Sequence, residues 1–304
     1  MIPAVRGSMP VGPATFVWGS RTYLMGIVNV TPDSFSGDGL VASGGDWVAA
    51  AVAQARAQVE GGAHLIDVGG ESTRPGSQPV ALEDELARVV PVVRALAAAV
   101  SVPISVDTYK AEVARQALDA GATLVNDVWG LRLDPDMAGV VAAAGAAVIR
   151  MHNRSRPKDA VQAAQLGGRY VGVEYTDLLD DIARELTESV ALARAAGIAA
   201  DRLILDPGIG FGKTVEQNME LLYRLDELCA LGFPLLVGPS RKSFVGYTLN
   251  LPPADRLEGT AAAVALAIER GADLVRVHDV AAMHRVARIT DAIVRGRPAR
   301  RTLK

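Results

Sequence analysis

Apolar residues in this chain come in short runs separated by longer amphipathic stretches, and the alternation continues from one end to the other. Four copies of one junction carry the pattern: Gly-Ala, a variable residue, two apolar residues, and a polar residue five positions after the glycine. They are Gly62–Asp67, Gly121–Asn126, Gly145–Arg150 and Gly271–Arg276. Glycine just past a helix takes the left-handed conformation that stops it, and a short apolar run after it fits a buried parallel strand. Four further runs, Tyr23–Val30, Val102–Val106, Leu203–Leu205 and Pro234–Val237, keep the strand character without the Gly-Ala entry. Helical patterns alternate with them over 44–60, 81–99, 110–119, 134–144, 174–196, 215–231, 258–270 and 279–295. Eight strand–helix units predict an α/β fold of the TIM type, a closed (β/α)8 barrel forming a single domain over 21–304, with an open doubly wound sheet as the rival. Residues 1–20 fit no such unit and read as a leader. Within it, Ala14–Val17 is expected to pair with the chain after Gly19–Ser20 as a small hairpin closing the barrel floor.

Composition narrows the class of partner. Half of the 304 residues are apolar and the formal net charge is −3, which leaves no extended basic face for a nucleic-acid backbone or an anionic membrane and favours a small-molecule substrate. The longest apolar stretches, such as Ala261–Ile268, fall well short of the roughly 20 residues that span a bilayer, and no signal-peptide core is evident, so a cytoplasmic location is expected. Cys229 stands alone, which excludes an intramolecular disulfide and a cysteine-rich metal site. The four histidines show no zinc-ligand spacing, and His64 and His284 read as structural. Residues 207–214 approach a phosphate-binding Walker A loop, but Pro207 stands where its first glycine is required.

In a barrel of this type the loops at the carboxyl ends of the strands build the site. Just past the strands stand Asn29, Asp67, Asp107, Asn126, Arg150 with His152, Asp206, Lys242, and Arg276 with His278. Taken singly, any of these can cap a helix or pair with a neighbour; a whole ring of carboxylates, amides and cations at one rim points to a site. Two long polar loops, 29–39 and 71–77, have the composition of mobile lids.

The segments Met25–Ser36, Ile66–Gly76, Ile104–Thr108, Val125–Asp127, Asp206–Lys213, Ser240–Ser243 and Arg276–His278 together resemble the dihydropteroate synthases, over nearly the whole chain. The resemblance implies condensation of a 6-hydroxymethyl-7,8-dihydropterin diphosphate with p-aminobenzoate by a dissociative substitution in folate synthesis, in a homodimer, with magnesium as the cofactor. It places the pterin diphosphate among Thr73, Asp107, Asn126, Asp206, Lys242, Arg276, Val277 and His278, and p-aminobenzoate among Phe35, Thr73, Pro75, Lys242 and Ser243. Catalysis falls to Asp38, Thr73, Arg74, Lys242, Arg276 and His278, and the metal to Asn29. The chemistry agrees: a pterin edge offers N–H donors that suit Asp206 and Asn126, and acceptors that suit Lys242, while the flat guanidinium of Arg276 suits stacking over the ring. Sulfonamides, which mimic p-aminobenzoate, are expected to compete there.

One departure concerns the first loop, where members of the family often read Ser-Phe-Ser-Asp-Gly-Gly. This chain has Ser34-Phe35-Ser36-Gly37-Asp38-Gly39, so the carboxylate is displaced by one residue. Three rivals remain: a non-catalytic pterin-binding paralogue, a pterin-dependent methyltransferase relative, which lacks a loop like Ser72–Gly76, and a class I aldolase using Lys242 as its Schiff-base amine. The Ala-rich helix around Leu257–Glu269 offers a close-packing surface for a second copy.

Overall fold

The computed structural model describes residues 7–31, 46–73, 76–163, 165–171 and 173–296. The first described elements form an antiparallel hairpin, β1 (Ser8–Val11) and β2 (Ala14–Val17). This differs from the expected pairing of Ala14–Val17 with the chain after Gly19–Ser20. Gly12 and Pro13 supply a two-residue turn, so the earlier segment becomes the partner and Val11 faces Ala14. The chain after Gly19 is drawn into packing instead: the Phe16 ring stacks on Tyr23 at 4.4 Å, and Trp18 meets Tyr23 edge-on at 5.7 Å.

From there strand and helix alternate as the repeats predict. The order is β3 (Tyr23–Asn29), α1 (Trp47–Glu60), β4 (Leu65–Gly69), α2 (Leu82–Ala99), β5 (Ile104–Asp107), α3 (Ala111–Asp119), β6 (Leu124–Asp127), α4 (Met137–Ala144) and β7 (Ala147–Met151). An antiparallel hairpin, β8 (Ala160–Ala163) and β9 (Gly167–Tyr170), interrupts the alternation before α5 (Leu178–Ala195). Then follow β10 (Leu203–Asp206), α6 (Val215–Tyr223), β11 (Leu236–Val237), α7 (Ser243–Leu249), α8 (Leu257–Glu269), β12 (Leu274–Val277) and α9 (Val280–Val294). Eight parallel strands run in the order β10-β7-β6-β5-β4-β3-β12-β11. A parallel bridge between Leu205 and Leu235, with the Leu205 N–H donating to the Pro234 carbonyl at 2.9 Å, brings the first and last together, and the TIM-type barrel closes.

Side chains alternate across each strand. Met25, Leu65, Leu124, Ile149, Ile204 and Leu274 point inward and fill the lower barrel, where Met9, Val11, Phe16 and Trp18 of the hairpin plug it from below. Val28, Val68, Val106, Val125, Val148 and Val275 point outward and pack against the helices. Each large aliphatic side chain buried this way contributes roughly 1.5–3 kcal/mol, and the two apolar layers leave only the upper inward positions for chemistry.

Helix ends follow local chemistry. Thr214 and Gln217 form a reciprocal capping box at the start of α6, and the Asp177 carboxylate accepts from the first N–H groups of α5. The helix expected over 215–231 breaks after Tyr223 into a 3-10 segment, Leu225–Leu231. The one expected over 174–196 begins at Leu178, after the inserted hairpin.

All four junction glycines, Gly62, Gly121, Gly145 and Gly271, have positive φ. At Gly271, with φ +101°, an added Cβ would also lie 2.6 Å from the Cys229 sulfur, whereas Gly145, at φ +61°, has open space. Gly271→Ala is therefore expected to cost about 1–3 kcal/mol of stability, and Gly145→Ala less. Urea unfolding of the two variants checks the order, and an equal loss would show that φ alone sets the cost.

Candidate functional site

The strands position the polar floor by simple counting. Two residues above inward Leu65, Leu124, Ile204 and Leu274 come Asp67, Asn126, Asp206 and Arg276, so all four face the barrel axis one layer above the apolar fill. Asp107 ends β5 on the same side and meets Arg276 there. The same counting removes Arg150 from the rim. Its neighbour Ile149 points inward, so Arg150 points outward, fully buried, and donates to Ser189 Oγ on α5 at 3.0 Å.

Arg276 is clamped between two carboxylates. Its Nε donates to Asp67 Oδ2 at 2.6 Å and its Nη2 to Asp107 Oδ2 at 2.8 Å. Asn126 Nδ2 donates to the same Asp67 oxygen at 3.0 Å, which orients the amide and leaves Oδ1 as its acceptor. Asp206 Oδ1 accepts the Gly208 N–H at 2.7 Å. The Lys242 ammonium donates to the Ile209 carbonyl and sits 4.5 Å from the centre of the Phe211 ring.

Burial governs the protonation of these groups. It pushes the Asp107 carboxyl up against the opposing pull of Arg276, and raises Asp206 against the pull of Lys242. It lowers the Lys242 amine to about 8, with Asp206 working the other way. For Arg276, burial is outweighed by Asp67 and Asp107, so the guanidinium is held above its ordinary value.

Above this floor opens a cavity of about 200 Å³. Of the residues singled out from the sequence, Asn29, Thr73, Asp107, Lys242, Ser243, Arg276 and His278 line it. Asn126 and Asp206 lie beneath the wall, 3% and 6% exposed. The Val277 side chain points away into the core between strands and helices, so Val277 has only its backbone to offer a ligand. Phe35, Asp38, Arg74 and Pro75 lie outside the described residues.

Several contributors escaped the sequence reading. The β8–β9 hairpin brings Gln162 and Gly167 to the cavity wall. Arg256 holds the hairpin there, donating to the Leu166 carbonyl at 2.9 Å while also donating to that of Arg241 at 2.9 Å. At the base of the second loop, Glu71 accepts from Tyr109 Oη at 2.8 Å and from Lys110, whose ammonium also bonds Glu85. Lys213, 2% exposed, donates to the carbonyls of Gly208 and Phe211 at 3.0 and 3.1 Å and meets His152 Nδ1 at 3.0 Å. Burial lowers its amine to about 7. The glycines of the near-Walker segment are spatial necessities: a Cβ at Gly208 would lie 1.9 Å from the His152 carbonyl oxygen, and one at Gly210 2.6 Å from the Lys242 side chain.

The chain matches the family model described as pterin binding enzyme over residues 25–278. It is 48% identical to a dihydropteroate synthase of Synechocystis over 288 residues, covering 94% of this chain and 95% of the relative. Among solved structures it is similar to a dihydropteroate synthase from Clostridium difficile determined in the presence of pteroic acid. That match has a TM-score of 0.82 and 47% identity, over 91% of this chain and 98% of that one. A Yersinia pestis dihydropteroate synthase with a sulfonamide drug complex matches with a TM-score of 0.86 and 41% identity, over 95% and 100%.

Asp67 is fully buried and holds both Arg276 and Asn126. Removing it leaves Arg276 with Asp107 alone and Asn126 without its acceptor, and breaking a buried ion pair costs about 3–5 kcal/mol. Asp67→Ala is therefore expected to destabilise the fold by roughly that much, and more than Asp107→Ala, whose side chain keeps 11% exposure. Chemical denaturation of both variants decides; a larger loss in Asp107→Ala would mean that Asp67 is not the keystone.

Proposed function

The chain belongs to the dihydropteroate synthase family, and from that premise we infer that its barrel mouth joins 6-hydroxymethyl-7,8-dihydropterin diphosphate to p-aminobenzoate. The products are 7,8-dihydropteroate and diphosphate, and the enzyme is a transferase of alkyl or aryl groups other than methyl. One observation carries the reading: Asp107, Asn126, Asp206 and Lys242 converge around a single mouth with Arg276 locked among them. The cluster leaves Asn126 Oδ1, Asp107 Oδ1 and Asp206 Oδ2 as acceptors for the pterin's N–H groups, and the Lys242 ammonium as donor to its carbonyl and ring nitrogen.

The reaction needs no protein nucleophile. Diphosphate departs from the exocyclic methylene with the bonding electron pair, the pterin ring delocalises the cation, and the aromatic amine closes the new C–N bond and loses a proton to solvent. Asp67, paired with Arg276, lies under the developing cation with Asp107 and Asp206, whose carboxyls burial raises, and in a water-poor site even partial negative charge there counts strongly. Arg276 and His278, together on the wall with Asn29, face the departing anion. Asn29 suits magnesium: its amide oxygen is a hard donor, and that ion takes few protein ligands and completes its shell with water and phosphate oxygens. Bound there, it would neutralise charge on the leaving diphosphate. Thr73 and Arg74 order the second loop, Phe35 and Pro75 flank the p-aminobenzoate ring, the Ser243 backbone N–H meets its carboxylate beside Lys242, and Asp38 steadies the cation from the first loop. A sulfonamide would take the same place.

The enzyme is expected to act as a homodimer. A second depression of about 310 Å³ on α6, α7 and α8 is lined by Met219, Tyr223, Leu249 and Leu266, side chains 41–70% exposed. Apolar side chains grouped this way mark an interface more often than a free surface. Leu266→Arg should convert dimer to monomer in light scattering behind size exclusion; a monomeric wild type would end the proposal.

The deciding assay mixes the protein with magnesium, pterin diphosphate and p-aminobenzoate. Dihydropteroate should appear with stoichiometric diphosphate, and pterin binding without product would refute the activity. Lys242, lowered to about 8 by burial, is protonated below that pH and neutral above it. Pterin affinity should therefore fall as pH rises through about 8 in the wild type and hold steady in Lys242→Arg, a contrast that titration of pterin binding measures directly.

A further inference from the structure

We propose that Ser240 fixes His278 as the neutral imidazole carrying its proton on Nε2, so that this residue meets an anion as a preset donor. Ser240, on the loop after β11, is 6% exposed. Its hydroxyl makes both of its bonds to His278: it accepts the His278 backbone N–H at 3.2 Å and lies 2.9 Å from Nδ1.

The hydroxyl has one proton and two lone pairs. One lone pair is occupied by the backbone N–H of His278, and the ring nitrogen is the acceptor within reach of the hydroxyl proton. The alternative tautomer, with the proton on Nδ1, would make the hydroxyl accept twice and turn its own proton away from His278, toward the cavity that Ser240 lines, giving up the buried hydroxyl-to-imidazole bond. The consistent arrangement is Oγ–H donating to Nδ1. The ring proton then belongs to Nε2, and a hydrogen bond at one imidazole nitrogen sets the role of the other.

A second link keeps the two residues in register. Arg241, next to Ser240, forms a bidentate pair with Asp279, next to His278, at 3.0 and 2.6 Å. Arg241 takes a left-handed φ of +55°, and its N–H donates to Thr260 Oγ1 at 3.0 Å, while Arg256 donates to its carbonyl. Paired bonds at 240–278 and 241–279 join the β11 and β12 loops rigidly, so the serine acts as a positioning residue. The consequence for diphosphate recognition rests on the reading of His278 given above; the tautomer is measurable without it.

Protein labelled with 15N-histidine, studied by long-range 1H–15N correlation at pH 8, tests the assignment. The His278 signals are identified by their absence from His278→Gln. A pyridine-type Nδ1 and a pyrrole-type Nε2 are expected in the wild type and in Ser240→Thr, and a mixture of tautomers in Ser240→Ala. A pyrrole-type Nδ1 in the wild type, a doubly protonated ring there, or an unchanged His278 pattern in Ser240→Ala overturns the proposal, and the wild-type spectrum decides even where a variant fails to fold. Calorimetry with inorganic diphosphate should show about tenfold weaker binding in Ser240→Ala, the scale of one hydrogen bond to a charged group, with recovery in Ser240→Thr. A changed tautomer with unchanged affinity would uphold the role of Ser240 and remove His278 from the anion site.

Discussion

Arg276 reaches across the barrel to Asp67 on β4 and Asp107 on β5, and the rest of the mouth is arranged around that clamp. The residues joined are 209 and 169 positions apart in sequence, so the bonds exist only when β12, β3, β4 and β5 have assembled in register. Taking three charged groups out of water is costly, and their mutual attraction repays it only when the remaining hydrogen-bonding capacity is used. The floor meets that condition in part through Asn126, which spends an amide N–H on Asp67 and keeps its oxygen as an acceptor. A ligand therefore meets acceptors that are already oriented, and little reorganisation is charged against binding or turnover.

Much of this was legible in the sequence because a barrel converts spacing into position. The Gly-Ala junctions marked where four strands begin, and the polar residue five places on marked where each nears the mouth. The period of two carries further than the motif did. It separates Asp67 and Asn126, which face inward, from Arg150, which occupies the same place in its copy of the junction yet faces α5. That copy differs because its strand starts in a different phase: Ala147 and Ile149 are the inward residues, so position five falls outside. Asp67 was visible as a rim carboxylate, but its bond to a residue at the far end of the chain was not, since pairing across a barrel leaves no trace in local pattern. The β8–β9 hairpin was illegible for the opposite reason. Its strands are four residues long, β8 buries none of its side chains fully, and Arg256 and Tyr247 anchor the hairpin through its backbone carbonyls rather than its side chains.

The near-Walker segment shows how one sequence signature can serve a different physical need. Its glycines are required because the backbone passes against His152, Arg154 and Lys242. Lys213, the residue that would grip phosphate in a nucleotide site, is turned inward and buried, where it holds two carbonyls of its own loop. The loop in turn presents the Ile209 carbonyl to Lys242 and the Phe211 ring beneath its ammonium. A lysine thus shapes the bed on which the cavity-lining lysine rests.

Charge accounting limits what this floor can do alone. Around the mouth, Asp67, Asp107 and Asp206 stand against Lys213, Lys242 and Arg276, three formal charges of each sign before a ligand arrives. A balanced floor suits a pterin ring, which is neutral when it binds and transiently cationic during the proposed reaction. It offers no surplus for a diphosphate. Arg276 is already committed to two carboxylates, and Arg241 on the neighbouring loop is committed to Asp279. On the proposed reading, charge to match the anion would come from outside the floor, with a divalent cation held at Asn29 and His278 contributing direction. On that reading, pterin recognition falls to the rigid base and anion recognition to the rim above it.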